Sequence, residues 1–155
     1  MILTVTIPGP PVAKGRPKFA RRGKFVTTYT PDATVAWEDK AIVAFRGAYK
    51  GPPLDVAVRL EVLAIAGRTK GMIPKPGGTL SSRALAADPG LLGRQWRLTK
   101  PDGDNVLKCV GDALVSAGVV RDDTVIVRWQ VDSLTAARDE GPCVVVRLVR
   151  VDPRP

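Results

Sequence analysis

The sequence predicts an α/β fold of the α+β type, one domain with a mixed sheet of about five strands and two main helices. Three observations carry this. Runs rich in β-branched residues alternate at two-residue spacing near both ends and the middle of the chain. Two longer stretches repeat apolar residues at helical spacing. A length of 155 residues with 45% hydrophobic content suits one buried core.

The elements follow in chain order. Residues 2–7, ILTVTI, alternate around Leu3, Val5 and Ile7 and predict a strand that ends at prolines. A turn-rich basic segment follows, with Lys14, Arg16, Lys18, Arg21, Arg22 and Lys24 and no acid before Asp32. FVTTY at 25–29 is a short strand that closes this segment as a hairpin. Thr30-Pro31 supplies a helix cap followed by proline at the first helical position. Ala36, Trp37, Lys40, Ala41, Val43, Ala44 and Phe45 form its stripe, and Gly47 is the stop signal.

Residues 54–66 make the longest strand candidate, alternating at Val56, Val58, Leu60 and Val62. Periodicity then fails from 67 to 100. Seven basic residues, six glycines and three prolines stand there against one acid, Asp88. This reads as a long basic loop, with a short helical turn near 82–85. A loop of that length is a functional element or a mobile insertion. Residues 105–117 form the second helix, with Val106, Leu107, Val110, Leu114 and Val115 on one side, Asp104 as cap and Gly118 as stop. Strands at 124–131 and 143–151 complete the set, paired with each other across SLTAARDEG. With no domain-sized linker, residues 1–155 read as a single domain.

Composition narrows the chemistry. The absence of histidine removes Ser-His and Cys-His nucleophiles and His-based zinc and iron sites. Two cysteines make neither a disulfide framework nor a zinc site, so a reduced, cytoplasmic setting is expected. No apolar run reaches the length of a membrane helix, and no basic segment precedes the first apolar residues as in a signal peptide. A net charge of +9 points to phosphate-rich partners.

Against that charge, five of fifteen acidic residues fall in residues 100–123, KPDGDNVLKCVGDALVSAGVVRDD. Two carboxylates about 4 Å apart repel by roughly 4 kcal/mol at an effective dielectric near 20. A bound cation, a nearby base or separation in the fold must relieve them. Asp102 and Asp104 flank one glycine at the start of a helix, where both can reach one cation or can simply cap and solvate. Lys108 lies one turn beyond Asp104. Asp112 is about 12 Å from Asp104 along the axis and reads as a structural or interfacial charge. Asp122 and Asp123 follow a helix that carries the chain roughly 20 Å away. They return to Asp104 only if 118–123 doubles back; otherwise the acids meet across a dimer.

The run K-P-D-G-D-N-V-L-K, then D-A-L, then G-V-V-R-D-D-T-V, resembles the signature of the RusA family of Holliday-junction resolvases. G-P-P-V-A-K-G-R-P-K with a later Tyr-Thr-Pro is similar to that family's opening segment. The resemblance implies a metal-dependent endodeoxyribonuclease in which Asp102, Asp104 and Asp123 hold Mg²⁺ (Mn²⁺ as a substitute), with Asp122 in support. It implies that Lys108 serves catalysis, that the protein is a homodimer, and that four-way junctions are resolved in DNA recombination and repair. No organic cofactor and no membrane are expected. Lys14, Arg16, Lys18, Arg21, Arg22 and Lys24, with Arg94, Arg97 and Lys100, are the candidate phosphate contacts. Phe19, Phe25 and Trp96 either stack on unpaired bases or pack internally. Two alternatives stand beside this: a non-catalytic basic nucleic-acid-binding protein, and a related nuclease preferring flaps or forks.

Overall fold

The run CVVVRLVR is apolar and β-branched at most positions, as suits a strand with neighbours on both sides, and it sits inside the sheet. In the computed structural model, which describes residues 1–15, 18–22, 25–68 and 93–152 and gives only the backbone of 18–22 and 25–29, the sheet has five strands. They are β1 (Leu3–Pro8), β4 (Val58–Ala66), β5 (Gln95–Trp96), β6 (Ile126–Thr135) and β7 (Cys143–Arg150), in the order β1-β7-β4-β6-β5. β7 pairs antiparallel with both β1 and β4, whereas β4 and β6 run parallel. β2 (Lys18–Arg22) and β3 (Phe25–Tyr29) form the expected hairpin as a separate two-stranded sheet.

Parallel strands need a crossover, and α2 (Gly103–Ala117) supplies it between β4 and β6. α2 packs beside α1 (Asp32–Ala48) on one face of the sheet. Leu3, Val5 and Ile7 of β1, Val58, Leu60 and Val62 of β4, and Val144, Val146 and Leu148 of β7 point to that face. Trp37, Ala41 and Phe45 of α1 and Val106, Val110 and Leu114 of α2 complete the core. Within α1 the buried stripe is narrower than the sequence pattern, since Val43 is 72% exposed. The other sheet face carries Thr4, Thr6, Arg59, Glu61 and Arg147.

Several expectations are corrected. The strands at 124–131 and 143–151 are not partners, because β4 lies between β6 and β7. Residues 123–125 form a 3-10 turn, so β6 starts at Ile126 and takes in Ser133, Leu134 and Thr135 of the expected connection. The fifth strand of the sheet is Gln95–Trp96, inside the stretch read as loop, and it pairs with Thr135 and Leu134. The strand expected from residue 54 begins at Val58, while Leu54 makes an isolated bridge to Val120. Helix α1 begins one residue after Pro31, whose carbonyl accepts from Thr34 N at 2.9 Å, and it runs past Gly47 to Ala48. α2 is capped at Asp102 rather than Asp104, and Gly118 ends it in the left-handed region at φ 75°. The turn expected near 82–85 lies outside the described residues. At the margins of that stretch, Arg68 donates to Ala136 O at 3.0 Å and to Gly93 O at 2.9 Å.

Candidate active site

The start of α2 is built by three contacts. Arg97 N continues the β5–β6 ladder by donating to Ser133 O at 2.9 Å. The Arg97 guanidinium then closes the turn, with Nε at 2.9 Å and Nη2 at 2.6 Å from Lys100 O. Gly103 seats the helix on β6, where a Cβ would stand 2.8 Å from Val131 Cγ1. Asp102 is the N-cap residue, extended at φ −69° and ψ 135°. Its carbonyl accepts from Val106 N at 3.1 Å, yet its carboxylate makes no capping bond. Most N-cap aspartates use that carboxylate on the helix N–H groups. Here Asp102 is exposed and lines an open depression with Arg97, Leu98, Lys100, Pro101 and Ser133.

One turn on, Asp104 and Lys108 approach to 3.8 Å with side chains 68% and 66% exposed. A solvated pair at that distance holds neither group firmly. Asp102, Asp104 and Lys108 therefore present two carboxylates and an ammonium to solvent at the positive end of the helix dipole.

Asp122 and Asp123 lie elsewhere. They line a second depression with Lys14, Glu38, Asp112, Val115 and Ser116. The segment after α2 returns only as far as the Asp112–Ser116 stretch of the helix. Val119 O accepts from Leu54 N at 2.9 Å, Arg121 N donates to Leu54 O at 3.0 Å, and the chain turns into β6. β6 then climbs from Ile126 to Val131 beside Gly103, a rise of about 16 Å over five residues. Asp122 accepts from Thr124 N at 3.0 Å, and that bond holds its carboxyl below the usual carboxylate range.

The second depression holds a feature that sequence reasoning missed. Lys14 Nζ lies 2.7 Å from Glu38 Oε1 and 2.7 Å from Asp112 Oδ2. Burial pulls the Lys14 pKa down, but the bonds and charges of Asp112 and Glu38 outweigh it and raise the value to about 12. Cys109 Sγ approaches Glu38 Oε1 at 3.7 Å, and burial followed by the Glu38 charge pushes the thiol up to about 12. Glu38 carries no sequence signal beyond its place on α1. Asp112 does, since Asp104, Lys108 and Asp112 recur every four residues along α2.

The other predicted residues divide. Lys100 is exposed at the rim of the Asp102 depression, whereas Arg97 spends two donors on its own turn. Arg94 is paired with Glu140, Nε to Oε2 at 2.9 Å. Lys18, Arg21 and Arg22 lie on β2, where the backbone alone is described, as do Phe19 there and Phe25 on β3. Arg16 and Lys24 lie outside the described residues. Trp96 is 71% exposed and Trp37 is buried at 5%.

Carboxylate oxygens are suitable donors for a hard divalent cation. Within one chain, however, no three His, Cys, Asp or Glu among the described residues gather closely enough to hold a metal. A family model described as endodeoxyribonuclease RusA matches residues 8–148. This chain belongs to the RusA endodeoxyribonuclease family. The match leaves only residues 1–7 and 149–155 outside, and it spans both helices and both acidic groups. A comparison with curated proteins gives no match, so the family assignment rests on that model. No helix among the described residues is long and apolar enough to cross a membrane.

Proposed function

We propose that this RusA-family chain is a Mg²⁺-dependent, structure-selective endonuclease that resolves four-way DNA junctions by paired symmetrical nicks, acting as a homodimer. One observation carries the reading: Asp102 occupies a cap position with its carboxylate withheld from the helix, beside Asp104 and Lys108. Asp102, Asp104 and Asp123 would hold the divalent ion, with Asp122 in support. When bound, that ion supplies an activated water and charge neutralisation at the phosphate. Lys108 brings positive charge toward the same phosphate, where charge develops in the transition state.

The separation of the two acidic groups favours completion of the site by a second chain. Asp102 and Asp104 of one protomer would meet Asp123 of the partner, and a two-fold dimer would carry two such sites. Two equivalent sites suit two symmetrical cuts. Lys100 at the rim and the basic hairpin β2–β3 supply candidate phosphate contacts beside each site.

The test incubates the protein with synthetic four-way junction, flap, fork and linear duplex, each with and without Mg²⁺. Metal-dependent cleavage that favours the junction supports the reading. Equal cleavage of duplex removes the selectivity, and preference for flap or fork reassigns the substrate. Binding to every substrate without cleavage of any would leave a basic DNA-binding protein.

A further inference from the structure

Lys14 opens the basic N-terminal segment, yet it is not free to meet a phosphate. It is tied at three points. Its backbone N donates to Asn105 O of α2 at 2.9 Å. Its ammonium lies 2.7 Å from Glu38 on α1 and 2.7 Å from Asp112 on α2. A phosphate would have to displace two short charge-assisted bonds to recruit it.

The neighbouring residues are sealed in the same place. Gly15 N donates to Thr34 Oγ1 at 3.3 Å, and Thr34 Oγ1, 2% exposed as a residue, donates to Ala13 O at 3.4 Å. A Cβ on Gly15 would stand 2.7 Å from Pro31 Cγ. The chain therefore leaves for the β2–β3 hairpin at Gly15 and returns at Pro31, with the two points in contact. The hairpin stands on a closed base beside Asn105, the residue that follows Asp104.

Resting on the function proposed above, we propose that Lys14 is a positioning residue. Its bridge to Glu38 and Asp112 fixes the base of the basic hairpin against α1 and α2 before DNA arrives. A segment held in its bound place avoids the ordering cost that weakens association. Loss of the bridge therefore weakens junction binding more than it slows cleavage at saturation. Lys14 itself neutralises no phosphate.

The test compares wild type with K14M, K14R and the triple variant K14M/E38Q/D112N, each verified as folded at the assay temperature by its melting curve. Junction Kd is measured across a salt series, and kcat at saturating junction. The expected result is a junction Kd raised about tenfold in K14M and the triple variant. Their kcat is close to wild type, the salt slope is unchanged, and K14R is near wild type in both constants. A salt slope lowered by about one unit in K14M would make Lys14 a phosphate contact and overturn the proposal. So would an unchanged Kd in K14M. Recovery of affinity in the triple variant would also overturn it, since unpaired carboxylates rather than the lost bridge would then explain K14M. If wild type itself fails to prefer the junction, the functional reading falls first; if it prefers the junction and any of these results appears, the positioning role falls alone.

Discussion

Asp102 and Lys108 differ in what their loss should cost, and the difference follows from their contacts. Asp102 makes no side-chain cap, so Asp102→Asn should leave the fold of α2 unchanged while removing a proposed metal donor. Cleavage is expected to fall by orders of magnitude with junction binding retained or tightened, read by gel shift and single-turnover assay on one preparation. Lys108 is 66% exposed in a loose pair, so Lys108→Met should change stability by less than about 1 kcal/mol. Its cleavage rate should drop about 10²- to 10³-fold if the charge acts on the transition state. Lys14 gives a pH signature. Its pKa is raised in the fold, so its contribution is complete below the usual lysine value of 10.5 and is lost as pH rises through about 12. The melting temperature of wild type should therefore fall more steeply over that window than that of K14M. The acids of the candidate site were legible as a motif, but the pairing of Lys14 was not. Its partners lie 24 and 98 positions away (38 − 14 and 112 − 14), and charge counting cannot tell a paired lysine from a free one.

Among the elements, α2 and its glycine decide where the site stands. Gly103→Ala sets a Cβ against Val131 Cγ1 at 2.8 Å, and a β-branched neighbour has few rotamers with which to yield. A loss of about 1–3 kcal/mol is expected, measured by denaturant titration, with partial rescue by Val131→Ala. On β2, Arg21→Gln with Arg22→Gln should weaken binding to junction and duplex alike. It should lower the salt slope by about two units if both arginines meet phosphate. Strands β1, β4 and β7 and both helices were legible because each buries one face and its sequence alternates or repeats accordingly. β5 was not, because two residues carry no period and Gln95–Trp96 sits among glycines and bases. The cap of α2 was misplaced by two residues, since Asp102 and Asp104 are equally good capping residues by type. The sheet order was also out of reach. Alternation says which face of β6 and β7 is buried, not that β4 lies between them.

For the whole molecule, the question is how two acidic groups set apart along α2 can act together. A single chain keeps Asp102 and Asp104 apart from Asp122 and Asp123, which stand beside Asp112, Val115 and Ser116, about 12 Å or more along α2 from Asp104. The net charge of +9 on each chain opposes the approach of a second copy. Apposed acidic and basic groups would offset that repulsion locally, and a bound cation would relieve the carboxylates gathered around it. The most direct measurement mixes two inactive proteins, Asp102→Asn and Asp123→Asn, and assays the mixture on a four-way junction with Mg²⁺. A site shared between chains predicts recovered nicking, because the mixed dimer holds one site with both aspartates intact. Silence of the mixture, with mixed dimers shown to form and wild type active, would contradict it.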